Sequence, residues 1–221
     1  MKTTTRAKPA RANRLRWVAI VLAVGLVAIA VVWWQLRPAS SGLVGAGIVE
    51  PQPAANFTLT DQHGQQVSLS SLKGKPIALT FVYTNCTDAC PLIASNMHAA
   101  YQRLGGDAGK VAMVAVTVDP ERDNVAQILQ FSQDRGLADE WLFLTGSRAQ
   151  LQQVWANYGI AAQSVDSKGA VVTPSPDDPE TIEHSSPVFL IDKKGDVRAL
   201  LPIDFAAGDL ATDLSRLLAE G

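Results

Sequence analysis

The sequence predicts an α/β fold: a central mixed, mostly parallel sheet flanked by helices, opened by an N-terminal hairpin and preceded by one transmembrane helix. Three observations lead there. Strand-like and helix-like patterns alternate from residue 57 to residue 221. A late strand–turn–strand unit and a final helix close the chain. Near the N-terminus, residues 17–36 pass without a single charge.

Residues 1–16 are basic. Together with Arg37 they hold seven of the chain's nineteen Lys and Arg side chains (Lys2, Arg6, Lys8, Arg11, Arg14, Arg16) and none of its twenty-one acidic ones. The remainder is therefore acidic, which argues against nucleic-acid binding, because phosphate affinity needs clustered Lys and Arg. Residues 17–36, "WVAIVLAVGLVAIAVVWWQL", would span roughly 30 Å as a helix at about 1.5 Å per residue, the thickness of a bilayer core. Basic residues precede the run, and Trp33 and Trp34 stand where an interfacial aromatic belt belongs. The expectation is a retained anchor with its N-terminus inside: in a bacterium, a single pass through the inner (cytoplasmic) membrane with the body in the periplasm. The rival is a cleaved signal peptide, whose apolar core would be unusually long here. No cysteine follows the run to be lipidated. Residues 37–56, rich in Gly, Ser, Pro and Ala, read as a flexible tether.

In the body, "FTLT" and "QVSLS" flank "DQHGQ", a hairpin signal. "PIALTFVY" and "KVAMVAVTV" are nearly continuous apolar runs, as expected of buried strands. Between them, Ile93, Met97, Ala100, Tyr101 and Leu104 recur at helical spacing, and a Gly-Gly pair ends the helix. "DPERD" reads as a turn and helix start. A helix ending at a glycine, a short extended "WLFLTG" and a helix capped by Ser147 follow. The acidic "SPDDPETIE" reads as a solvated loop. "PVFLID-KKGD-VRALL" is strand, turn, strand, and "AAGDLATDLSRLLAE" is the last helix.

Cys86 and Cys90 are the chain's two cysteines, in "YTNCTDACP". They lie where the first buried strand runs into a helix, a junction that suggests a thioredoxin-like arrangement. Unpaired N–H groups and the positive end of the helix dipole meet there, and both favour thiolate over thiol. A crosslink, a redox couple and a soft-metal site are the candidate uses. A disulfide this local would restrain the unfolded chain little. The spacing has one residue more between the cysteines than a thioredoxin-type couple. On a helix, i and i+4 share a face, so both sulfurs can aim at one ion, while a disulfide after loop relaxation stays open. Two thiolates alone suit Cu(I); Cu(II) calls for a further ligand. His63 sits in the hairpin turn and reads as solvated. His98 reads as a surface or partly packed helix residue. His184 precedes the predicted strand "PVFLID", and in a thioredoxin-like sheet that segment approaches the cysteine loop.

Several blocks, in order, resemble the Sco (SenC) family of copper chaperones for the CuA centre of cytochrome c oxidase. They are the hairpin, the Gly-Lys before the strand and the "YTNCTDACP" segment, then "VTVDPERDNVAQILQFSQDRG", "WLFLTGSRAQLQQVWANYGI" and "IEHSSPVFLIDKKGDVR". The resemblance covers nearly the whole body. It implies copper, as Cu(I) and Cu(II), held by Cys86, Cys90 and His184. It also implies delivery to subunit II of the oxidase, with a periplasmic copper donor and a thiol reductant as further partners. Thr87 stands where the family usually has proline, Asn85 where it often has His or Arg, and Glu183 where it often has Asp. None of these removes a ligand; they bear on loop stiffness, copper affinity or partner choice. The competing reading is a thiol–disulfide oxidoreductase in which Cys86 and Cys90 are the catalytic pair and His184 is dispensable. Thioredoxin-like reductases place a cis-proline where Ser186 stands here; Pro187 comes one residue late, which weakens that reading. A peroxidase would need a single cysteine in a polar pocket, and no such motif accompanies the pair.

Overall fold

The computed structural model describes residues 22, 24–28, 42–165, 172, 181–184 and 186–220. The chain divides into two units, residues 1–39 and 40–221. Of the anchor expected over 17–36, residues 22 and 24–28 are helical, and Leu22, Val24, Leu26 and Val27 are exposed. The rest of the anchor and the basic segment 1–16 lie outside the described residues. Among the described residues no helix is long and apolar enough to cross a membrane.

The second unit is built on a six-stranded sheet. In chain order its strands are β1 (Ala46–Pro53), β4 (Ile77–Val82), β5 (Ala112–Thr117), β6 (Leu142–Leu144), β9 (Val188–Ile191) and β10 (Asp196–Leu201), arranged β1-β10-β9-β4-β5-β6. A separate hairpin of β2 (Thr58–Thr60) and β3 (Gln66–Ser68) matches the expected one. The helices are α1 (Ala89–Leu104), α2 (Val125–Gln133), α3 (Arg148–Asn157) and α4 (Ala207–Ala219).

The sheet is mixed, as expected, but it is not mostly parallel. β4–β5 and β5–β6 pair in parallel, whereas β4–β9, β9–β10 and β10–β1 are antiparallel. The physical reason is the late hairpin β9–β10, to whose open edge β1 adds. That addition also corrects the tether. Residues 46–53 are a strand, and the chain just before them is held by Asp213 of α4, which is buried and accepts the N–H groups of Val44 at 2.7 Å and Gly45 at 2.9 Å. At Gly45 a Cβ would stand 3.0 Å from the Leu200 carbonyl, so the close approach to β10 needs a glycine.

β4 and β5 are buried along their whole length, which is why they lack alternation. α1 packs against α4 and buries Ile93, Ala94, Met97, Ala100 and Leu104. Ser147 caps α3 with a reciprocal capping box to Gln150, as its position predicts. The β2–β3 hairpin is fixed to β6 by Gln62, whose amide donates to Ala138 and Trp141 and accepts from Phe143 N–H. The C-terminal end of β4 is paired with β5, Val82 opposite Thr117, and the cysteine loop begins there.

Candidate metal centre

β4 ends at Val82, and the loop that follows is tied at both sides. Thr84 donates its N–H, at 3.2 Å, and its hydroxyl to Asp123. Asp123 is fully buried, also accepts the Thr117 hydroxyl at the end of β5, and is pushed up to about 7 by burial against those donors. The Cys86 N–H donates to the Tyr83 carbonyl at 3.4 Å. α1 then starts at Ala89, with Cys90 and Pro91 in its first turn, where the N–H that proline lacks has no intrahelical partner. Asp88 makes no side-chain cap. Its place is taken by the Cys86 sulfur, which accepts the Cys90 N–H at 3.3 Å.

Both thiols are free, Cys86 half-buried and Cys90 fully buried. Their chemistry is unequal. The Cys90 thiol donates to Cys86, and the N–H groups of Cys90 and Asp88 and the Tyr83 hydroxyl add to that. Against the opposing effect of burial, they draw Cys86 down to about 5. Cys90 is driven upward, first by holding its proton against the Cys86 sulfur and then by burial. At neutral pH the pair is one thiolate and one thiol sharing a hydrogen bond, a soft donor already half ionised. These two donors fit a soft cation.

Tyr83, 3% exposed, is pushed up to about 12, chiefly by burial. Its hydroxyl accepts the Ile182 N–H at 3.3 Å. Ile182 belongs to β8 (Thr181–His184), which pairs antiparallel with β7 (Ala162–Val165), His184 opposite Ala162. Sequence reasoning missed this hairpin. Its strands are four residues each, and the acidic stretch into β8 reads as a loop. The backbone of His184 is therefore placed on a strand whose neighbour Ile182 bonds to the cysteine loop, while its imidazole, like the Glu183 side chain, lies outside the described residues. Among the described residues no group of three His, Cys, Asp or Glu side chains could hold a metal ion. His63 is exposed in the hairpin turn, 3.3 Å from the Ala138 carbonyl, and His98 pairs with Glu140 at 2.6 Å. Ser186–Pro187 is trans. The "DPERD" segment is the expected turn, with Asp123 N–H bonded to the Asp119 carbonyl. Sequence reasoning did not find the part its last residue plays under the cysteine loop; the signal available was that this block stands beside the cysteine block in the resemblance.

Residues 48–219 match the family model SCO1/SenC. The chain is 31% identical over 143 residues to the SCO1 protein homolog of Bacillus subtilis, covering 64% of this chain and 69% of that protein. Among solved structures it is similar to Bradyrhizobium japonicum ScoI with copper bound, at a TM-score of 0.65 and 30% identity, over 76% of this chain and 100% of that one. It is similar as well to BsSco, a member of the Sco family of cytochrome c oxidase assembly proteins in which a disulfide switch was identified. There the TM-score is 0.59 and the identity 25%, over 81% of this chain and 98% of that one.

Proposed function

The chain belongs to the SCO1/SenC family, and from that premise we propose that it is a membrane-anchored, extracytoplasmic copper chaperone that delivers copper to the CuA site on subunit II of cytochrome c oxidase. The observation that carries the reading is the thiolate–thiol pair of Cys86 and Cys90 at the start of α1, in a chain similar to a ScoI solved with copper bound. Copper is cargo. Cu(I) from a periplasmic donor meets the half-exposed Cys86 thiolate first; Cys90 then binds as thiolate and its proton passes to water. His184 supplies an imidazole that suits Cu(II) as well as Cu(I). Few protein ligands and one exposed sulfur favour release: a thiolate of the acceptor displaces Cys86 or Cys90 by ligand exchange, and the freed sulfur recovers a proton.

Titration of the reduced protein with copper tests this. One copper per chain is expected, with a thiolate-to-Cu(II) absorption that His184→Ala weakens or shifts. An unchanged Cu(II) spectrum in His184→Ala would remove the third ligand from the proposal.

A second reading rests on the same low-lying Cys86 thiolate and on the likeness to BsSco with its disulfide switch. Cys86 attacks a client disulfide and releases one client thiolate. Cys90, losing its proton, attacks the mixed disulfide and releases the second. The client gains two electrons, and Cys86 and Cys90 end as a disulfide that a thiol reductant must reduce. Cys90→Ser should trap the mixed disulfide, and His184→Ala should then keep full function.

A further inference from the structure

We infer that the Tyr83 hydroxyl is a positioning link between the two halves of the metal centre, tying strand β8, which carries His184, to the Cys86 loop. The need for a link follows from topology. Among the described residues β8 pairs with β7 alone, in a two-stranded sheet outside the six-stranded sheet that positions the cysteines. A two-stranded hairpin is marginally stable alone, so its register against the cysteine loop must come from contacts made by side chains. Ile182 and Val165 bury their side chains, each 6% exposed. Such packing is tolerant of sliding, whereas a hydrogen bond is directional.

Tyr83 supplies that direction. It follows directly on β4, which lies between β9 and β5 and is buried along its whole length, and is itself buried. Its hydroxyl oxygen accepts the Ile182 N–H at 3.3 Å, and its carbonyl accepts the Cys86 N–H at 3.4 Å. One residue thus ties the Cys86 backbone to a backbone position two residues before His184. A phenylalanine would fill the same volume and lose the bond to Ile182.

This inference rests on the assignment of His184 as the third ligand, and the experiment separates the two. Full-length reduced protein in detergent is compared as wild type, Tyr83→Phe and His184→Ala. Hydrogen exchange of the metal-free chains, read on the peptide containing Ile182, should speed up about fivefold to tenfold in Tyr83→Phe, the effect of one lost hydrogen bond. Cu(II) affinity should fall by a similar factor and its absorption should shift, while Cu(I) affinity, to which the two soft sulfurs contribute more than the imidazole, should change less. Unchanged exchange at Ile182 overturns the link whatever copper does. Faster exchange with unaltered Cu(II) binding makes the bond structural only and overturns the positioning role. If His184→Ala leaves Cu(II) binding intact, the ligand assignment has failed and the positioning role falls with it, a failure distinguished by an exchange difference in Tyr83→Phe that persists.

Discussion

Cys86 and Cys90 are four residues apart, one in the loop after β4 and one in the first turn of α1, and a single proton separates their behaviour. The Cys86 sulfur gathers donors and stays accessible, whereas Cys90 lies beneath it and keeps its hydrogen. Alkylation with iodoacetamide, followed by mass spectrometry, should label Cys86 alone at neutral pH. Because its folded value lies near 5, the rate should stay flat as pH falls and drop only on passing that value. Equal labelling of both cysteines, or a rate that falls through the ordinary thiol range, would contradict the asymmetry. Asp123 carries the opposite kind of shift. Its carboxyl is raised to about 7, so protonation is easier in the folded chain than in the unfolded one. Its contribution to stability is complete below the ordinary carboxylate value and is lost as pH rises through 7. Urea unfolding from about pH 5 to about pH 8 should therefore show wild type losing up to ~1.4 kcal/mol per pH unit relative to Asp123→Asn within that window. Parallel curves would mean that burial does not govern this group.

At the scale of elements, the instructive case is β1. Its composition, "AGIVEPQP", reads as a linker because it has few apolar side chains and several residues that weaken strands. It is a strand because β10 offers an open edge and because Asp213, on a helix at the far end of the chain, satisfies the N–H groups that lead into it. Asp213→Ala would remove the buried acceptor of the Val44 and Gly45 N–H groups and should cost about 2–4 kcal/mol, read as a lower denaturation midpoint. Amide exchange at Val44 and Gly45 should speed up with it, while α2 stays protected. A variant as stable as wild type would show that β1 holds without its clasp. The β7–β8 hairpin was illegible for a related reason. Four-residue strands leave too short a period to read, and what places them is a tyrosine remote in sequence. The strands β4 and β5, by contrast, were plain, since burial on both faces leaves an unbroken apolar run.

On the scale of the molecule, the register carries one consequence for function. Ala46 pairs with Leu200, and Leu201 pairs with Val188, at the end of the sheet where β4 runs out into the cysteine loop. The chain thus enters its folded unit at the same pole as the candidate metal centre. Residues 40–221 form one unit and include the whole family match. Expressed alone, they should fold, stay in solution and bind one copper when reduced, whereas the full chain should sediment with membranes. A full chain that stays in solution would remove the anchor, and a fragment without copper would remove the site.

What the sequence determined by itself was whatever depends on near neighbours along the chain: the buried strands, the helix start at the cysteine segment, and the cap at Ser147. These follow from periodicity and capping, which act within a few residues. Only the tertiary structure decided that β1 closes the sheet, that Asp123 and Tyr83 flank the cysteine loop, and that Cys86 and Cys90 divide one proton unequally. The first two depend on partners more than thirty residues away and the third on how deeply the fold buries Cys90, and no local pattern records them.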